Sequence, residues 1–548
     1  MRLVLSGLRR YTIAMSRRFR WLPQARWKRW LILAAIAGVV FVMMIITLVV
    51  TVVLLWRSPK IQAWVMVTVL RHQVRQPALV PPSPNLSSEE KRLLSTNAVI
   101  LQTAADLFRP TNVWDVHLRF SANEWAQLGP NVVPPVLRFL QPDGSVILRN
   151  PAASRNGLSG VFGLDFPWAE ASLEFGDLKF NHVAARFKGN GTFVSAQRTY
   201  KRPFKIELSK HLKSQTLASR STLNLHNLIA DSSCLSDTMA YEFFRDAGVP
   251  APRTALARLC LTIEGRFEER LLGVYVMVEN PDSEWAREQF DETGVALFKP
   301  VTYELFKDLG DDWKAYEGIY DPKTKVKPKH SERVIALAKL VTRAPDAEFA
   351  QRIGDYIDLD EFARFLACQV ILSNYDGILS DGQNFLIYLD PKTEQFGFIP
   401  WDLDHCWGEF PFIGTIAQRE QASLWHPWVG ENRFLERMLS APPVRERYRR
   451  ELERIRSTLF QPERLSRRLD ELAEVVRPFV AEESSQRLAR FEREVRDQRD
   501  AGLIITNAPA TVRHGFALKR FFGARAISVT QQLEGKAEGE ILTRKPVR

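Results

Sequence analysis

Acidic and amide side chains crowd the stretch Asn374–Asp404, NYDGILSDGQNFLIYLDPKTEQFGFIPWDLD. Phe385–Leu389 and Phe396–Pro400 read as antiparallel strands, and Asp390-Pro391-Lys392-Thr393 supplies the turn between them. Folding this hairpin about Lys392 and Thr393 sets Asn384 opposite Asp402. Asp402 and Asp404 are two apart, so in extended backbone both leave the same face. One amide oxygen and two carboxylates then converge at the hairpin foot, a hard-oxygen set suited to Mg²⁺ with water and substrate phosphate completing its shell. Asp376, eight residues before Asn384, adds a further carboxylate, and the chemistry implied is phosphoryl transfer. Solvation alone also places acids at strand ends. The bulky neighbours Ile399-Pro400-Trp401 and Cys406-Trp407-Gly408 favour burial instead, and a buried carboxylate needs a partner or a metal.

The elements that must position these groups are legible from periodicity. Asp358 and Glu361 have capping-box spacing before a helix whose Leu359, Phe362, Ala363, Leu366 and Val370 share a face. That helix delivers Asn374-Tyr375-Asp376 to the hairpin. Upstream, residues 114–207 are rich in strands, a helix is predicted over Leu235–Ala247, and strands follow at Ala255–Glu264, Leu271–Glu279 and Gly294–Pro300. After Phe434 the chain is charged and helical to about Arg499, with breaks at Pro442, Pro443, Pro462 and Pro478 that favour packed helices over a coiled coil.

The chain has 548 residues, 45% hydrophobic and 25% charged, enough for one large or two ordinary globular domains. Nine of its basic residues lie in residues 1–30, which hold no acid; without them the net charge of +12 falls to +3. A nucleic-acid partner is therefore not indicated. Leu31–Trp56 carries no charge, and at about 1.5 Å per residue it exceeds the roughly 30 Å hydrocarbon core. We expect a transmembrane helix there in contact with the lipid bilayer. Four positive residues in the next twenty, against nine before the span, predict a single-pass inner-membrane protein with a cytoplasmic N-terminus and an exported body. Residues 57–113 read as a stalk, with Pro-rich Gln76–Pro84 followed by a helix over Ser87–Leu107, and residues 536–548 as a tail. Cys234, Cys260, Cys368 and Cys406 form no CxxC pair and suggest neither a zinc site nor a disulfide framework.

Two basic motifs complete the candidate site. Arg186-Phe187-Lys188-Gly189-Asn190-Gly191-Thr192 places glycines and a lysine at a strand end, where backbone N–H groups can cradle phosphate, although a tight β-turn explains the same pattern. Lys205, in KRPFKIEL (Lys201–Leu208), lies on the strand face opposite Phe204, Ile206 and Leu208; it is either solvated or reaches nucleotide phosphates. In this order, KGNGT, KRPFKIEL, MAYEFFRDAGVPAP, LLGVYVMVEN, ALFKP, NYDG…QNFLIYLDP and FGFIPWDLDHCWG resemble the CotH family of atypical protein kinases of the spore coat, over residues 114–535.

That resemblance implies an α+β, kinase-like two-lobed fold, with a β-rich lobe at 114–300 and a mainly helical lobe at 301–535 holding the hairpin 374–408. It also implies ATP, Mg²⁺ or Mn²⁺, and transfer to protein Ser or Thr hydroxyls. Asp376 would take the catalytic role, with Asp381 as a rival. Asn384, Asp402 and Asp404 would hold metal. Lys205 would meet the phosphates beneath the turn Lys188, Gly189, Asn190, Gly191; Glu279 would stand at the adenine side and Lys299 in the cleft. Glu242 would pair with Lys205, and Asp237 competes for that place. Alternatives are a non-catalytic envelope protein that binds a ligand in the same cleft, and a hydrolase using Asp376 with Asp402, in which the lysine and asparagine have no task.

Overall fold

The computed structural model describes residues 101–136, 150–155, 157–189, 191–196, 199–496 and 517–544, with two short helical stretches at 36–38 and 43–44. Seven strands form a closed barrel in the order β1 (Val113–Phe120), β4 (Ala169–Phe175), β5 (Leu178–Phe187), β6 (Phe204–Glu207), β7 (Thr222–His226), β9 (Phe267–Glu279) and β8 (Thr254–Ile263). A two-stranded ribbon, β2 (Asn131–Val132) with β3 (Leu164–Asp165), stands beside it in sequence. β10 (Ala296–Phe298) joins β11 (Phe385–Leu389) and β12 (Phe396–Pro400) in a separate three-stranded sheet.

Alternation of side chains gives the barrel its interior. Leu118, Leu173, Ala185, Phe204, Ile206, Leu223, Leu225, Leu259 and Met277 belong to one buried cluster. The opposite faces of β8 and β9, including Leu256, Val274, Val276 and Val278, join a second cluster with the helices and the three-stranded sheet. This arrangement corrects the expected two-lobed kinase fold. β1 closes the barrel through a parallel register with β8, from Val113↔Leu256 to Phe120↔Ile263. Strand periodicity predicts strands; it carries no information about a parallel pairing between segments so far apart in sequence.

The expected transmembrane helix and single-pass localisation are corrected as well. Among the described residues no helix is long and apolar enough to cross a membrane. Most of Leu31–Trp56 and all of residues 57–100 lie outside the described residues, as does Asn190. An uncharged stretch of sufficient length is a necessary condition for a span and not a sufficient one.

The hairpin is seated on the helix Leu359–Ile371. Asp358 caps it through the N–H groups of Asp360 and Glu361. Glu361 does not complete the expected capping box. Its carboxylate instead accepts from Phe398 N–H at 3.1 and 3.2 Å, occupying a donor that β12, as an edge strand, leaves without a strand partner. Burial pushes the Glu361 carboxyl well above its usual range. Phe362 and Phe365 meet Phe398 with ring centroids 5.1 and 5.2 Å apart.

A second junction ties the barrel to the helix Pro462–Glu483. Glu482 pairs with Arg258 of β8 at 2.7 Å. Glu483 accepts from Lys201 with both oxygens at 2.7 Å and from Val274 N–H at 2.6 Å. Gly273 (φ +104°) makes room for it, since a Cβ there would lie 2.1 Å from the Glu483 carboxyl carbon. Gly273→Ala is expected to lower stability by at least about 1–3 kcal/mol from backbone strain. Glu482→Ala, which leaves the buried Arg258 with Asp115 at 3.3 Å as its remaining carboxylate, should cost about 3 kcal/mol. Chemical denaturation measures both, and an unchanged midpoint for either variant contradicts this account of the junction.

Candidate functional site

The hairpin forms with the predicted strands, but its register is displaced by one residue from the expected pairing. Phe385 pairs with Pro400, so Asn384 lies opposite Trp401, whose N–H donates to Asn384 O at 3.2 Å. Asp402 does not continue the strand. Both Asn384 (φ +59°) and Asp402 (φ +56°) adopt left-handed backbone, and the chain turns through residues 404–409. The same-face argument for Asp402 and Asp404 therefore fails, because it assumed extended backbone. The two carboxylates nevertheless line one cavity together with Lys188, Gly189, Thr192, His226 and Asp237.

Ligand atoms of Asp376, Asp404 and His405 lie within 4.8 Å of one another. Asn384 Nδ2 donates to Asp376 at its carbonyl (2.8 Å) and its carboxylate (3.0 Å), so the asparagine orients the aspartate. Burial, followed by the charges of Asp381, Asp404 and Asp402, pushes Asp376 well above the usual carboxylate range. Burial also works against Asp402, but His226, Lys188, Lys299 and His405 outweigh it and hold its pKa down. The two carboxylates thus differ in environment. Asp402 faces a wall of cations, whereas Asp376 sits among other acids.

The cationic wall centres on Trp401. Lys188 Nζ and Lys299 Nζ lie 5.3 and 5.7 Å from its ring centroid. Burial, with Lys299 and Lys205 nearby, lowers Lys188 to about 7 against the opposing pull of Asp402 and Asp237. Lys299 is lowered to about 8 by burial and Lys323. Lys205 is lowered to about 8 by burial and Arg186, and its Nζ lies 3.5 Å from Asn280 Oδ1. Three lysines that resist their own charge in one region would each gain from a neighbouring anion.

The helix Ser236–Asp246 supports this wall from behind. Asp237 and Tyr241, four residues apart, share a face. Asp237 binds His226 Nδ1 at 3.1 Å, His226 Nε2 contacts Lys188 Nζ, and Tyr241 Oη accepts from Asp402 N–H at 2.9 Å. Asp237, rather than Glu242, is therefore the helix acid at the cleft, and it acts through histidine. Glu242 pairs with Arg468 at 2.7 Å. Gly189 (φ +74°) lets the turn after β5 close, since a Cβ would lie 2.7 Å from Thr192 Oγ1. Gly191 opens the short helix Gly191–Ser195.

Two expectations find other partners. The Glu279 carboxylate is buried between Arg220 (3.0 Å) and Arg253 (2.6 Å), and its neighbour Asn280 meets Lys205. Asp381 is engaged by Arg544 and by Ser380 Oγ at 2.8 Å. Sequence reasoning missed His405, Trp401 and His226 as members of the site. His405 stood beside Asp404 in plain view, whereas His226 lies in a fully buried strand with no local signal.

Two carboxylates and an imidazole make a mixed O/N set that fits Mn²⁺ or Mg²⁺, with the nitrogen favouring Mn²⁺. Asp404→Asn is expected to weaken Mn²⁺ binding by about tenfold or more, measured by titration calorimetry; unchanged affinity removes Asp404 from the metal group.

The family model described as CotH kinase protein matches residues 185–503. Inner spore coat protein H of Bacillus subtilis (strain 168) is 28% identical over 279 residues, spanning 50% of this chain and 73% of that protein. The matched range holds both walls of the cleft, from Lys188 to His405, and more than half of the sequence: the chain belongs to the CotH kinase protein family.

Proposed function

We propose that this chain transfers the γ-phosphoryl group of ATP, taken with Mn²⁺ or Mg²⁺, to Ser or Thr hydroxyls of a protein. The observation that carries the reading is one cavity lined by Lys188, Asp402 and Asp404, with Asp376 and His405 beside Asp404 and with Lys299 sharing the Trp401 ring with Lys188. Phosphoryl transfer needs little from a protein beyond positioning and charge neutralisation, and these groups supply both.

Lys188 and Lys299 bind phosphate oxygens, and Trp401 keeps their ammonium groups spaced and partly dry. Gly189 allows the turn backbone to approach the phosphates. Asn384 fixes the carboxylate of Asp376, which orients the acceptor hydroxyl. As the new O–P bond forms and the β,γ-bridging bond breaks, the hydroxyl proton passes to Asp376 and ADP leaves. A divalent cation bound at Asp376, Asp404 and His405 would neutralise charge on the phosphates.

Asp376→Asn should lower kcat by about 10²–10⁴-fold in a transfer assay with labelled ATP, Mn²⁺ and a Ser-rich protein; wild-type rates in this variant contradict its role. Label that binds but is never transferred would reduce the chain to a nucleotide-binding member of its family.

The lysine wall generates a pH prediction. A polyphosphate beside Lys188 raises its pKa from about 7. Between that value and the pKa of the complex the bound state holds more protons, so binding takes up a proton and affinity falls as pH rises above 7. Calorimetry in buffers of different ionisation enthalpy measures the uptake, and Lys188→Met should reduce it near pH 7 while leaving the contribution of Lys299 and Lys205, which are lowered only to about 8. Uptake near pH 7 that is unchanged in the variant assigns the proton elsewhere.

A further inference from the structure

Between Asp376 and Asn384 the chain folds onto one carbonyl. The N–H groups of Ser380, Asp381 and Gly382 donate to Gly377 O at 3.1, 3.0 and 3.0 Å. On one side the loop is held by Thr302, whose N–H donates to Gly382 O at 2.9 Å; Gly382 (φ +62°) has no room for a side chain, since a Cβ would lie 1.9 Å from Thr302 O. This fold buries Asp381, leaving its side chain 10% exposed. Ser380 Oγ donates to it, but a hydroxyl does not balance a buried charge.

The countercharge comes from the far end of the chain. After the helix Leu518–Leu533, residues 538–544 run as a strap beside Ile413–Ser423. Ser423 N–H donates to Glu540 O at 2.9 Å, Glu540 N–H to Gln421 O at 2.8 Å and Gly414 N–H to Thr543 O at 3.1 Å. Leu542 is buried in the larger core. The strap ends by placing the Arg544 guanidinium on the Asp381 carboxylate, 3.4 Å from Ser380 O and 3.3 Å from Ser380 Oγ. It lies beyond the part of the chain that the family model matches.

We propose that Arg544 is a positioning residue of the phosphoryl-transfer centre: by neutralising the buried Asp381 it holds the 377–383 loop in the form that sets Asp376 against Asn384. Arg544 touches neither substrate nor metal in this scheme. It acts through Asp381, and the strap makes the geometry of the centre depend on a segment over a hundred residues downstream. The inference rests on the proposed transfer reaction for its kinetic consequence, but not for its structural one.

Four forms of the full chain test it: wild type, Arg544→Ala, Arg544→Lys, and Arg544→Ala combined with Asp381→Asn. Arg544→Ala is expected to lower kcat by about tenfold or more while the KM for ATP stays within about twofold, since the lysine wall is untouched. Arg544→Lys retains most of the rate. The double variant recovers most of the loss, because a neutral amide at 381 needs no countercharge. Hydrogen exchange of the Ser380, Asp381 and Gly382 amides should accelerate in Arg544→Ala and return toward wild type in the double variant. An unchanged kcat in Arg544→Ala, or a double variant as impaired as the single one, overturns the proposal. If the wild-type chain transfers no phosphoryl group, the kinase reading fails. The exchange rates then decide the Arg544 claim alone, and it is overturned if they do not change.

Discussion

Like charges held together in a poorly solvated cleft are the constraint on which the rest of this structure depends. Asp376 lies within the fields of Asp381, Asp402 and Asp404, and Lys188 within those of Lys205 and Lys299. Neither group would form in a pliable chain, because each lowers its energy by moving apart. Only a surrounding framework that is costly to deform keeps them in place, with Asp402 set against the lysines. In the proposed reading, a nucleotide with its metal would offer both signs at once, negative oxygens for the lysines and a cation for the carboxylates.

The framework that resists this repulsion is built from buried polar contacts as much as from apolar packing. Barrel closure leaves no edge among the seven strands, so the strands that present Lys188 and Lys205 cannot splay. Glu361 ties the edge of β12 to the helix that ends just before Asp376. Glu482 and Glu483 join the barrel to the helical part at Arg258, Lys201 and Val274. A carboxylate in such a place is either fully partnered or strongly destabilising, which makes these contacts sensitive points of the fold.

Much of the local structure was legible in the sequence. The strands Phe385–Leu389 and Phe396–Pro400 have the predicted bounds, because a period-2 apolar pattern and an Asp-Pro turn are local signals. The helix before Asp376 was equally visible. What failed was whatever depended on backbone beyond the strand. The left-handed residues Asn384 and Asp402 broke the extended geometry on which the register and same-face arguments stood. Glu361 matched a capping-box spacing but bonds to β12, since a tertiary donor outcompeted the local one. The closed barrel escaped notice because β1 and β8 pair in parallel across a long separation. Within the site, Asp404 was expected beside Asn384 and Asp402 as a metal ligand and Asp376 apart from them as the catalytic acid; the grouping of Asp376 and Asp404 with His405 was not anticipated, and the helix acid reached the lysine wall only through His226.

In the proposed function, the acids at the hairpin foot and the lysines on Trp401 are two halves of one metal-nucleotide site. The most direct test is a crystal structure of the chain with Mn²⁺ and a non-hydrolysable ATP analogue, with the metal located by anomalous scattering. A manganese peak is expected among Asp376, Asp404 and His405, with the phosphates against Lys188 and Lys299. A nucleotide bound elsewhere, or a metal peak remote from these three side chains, would contradict it.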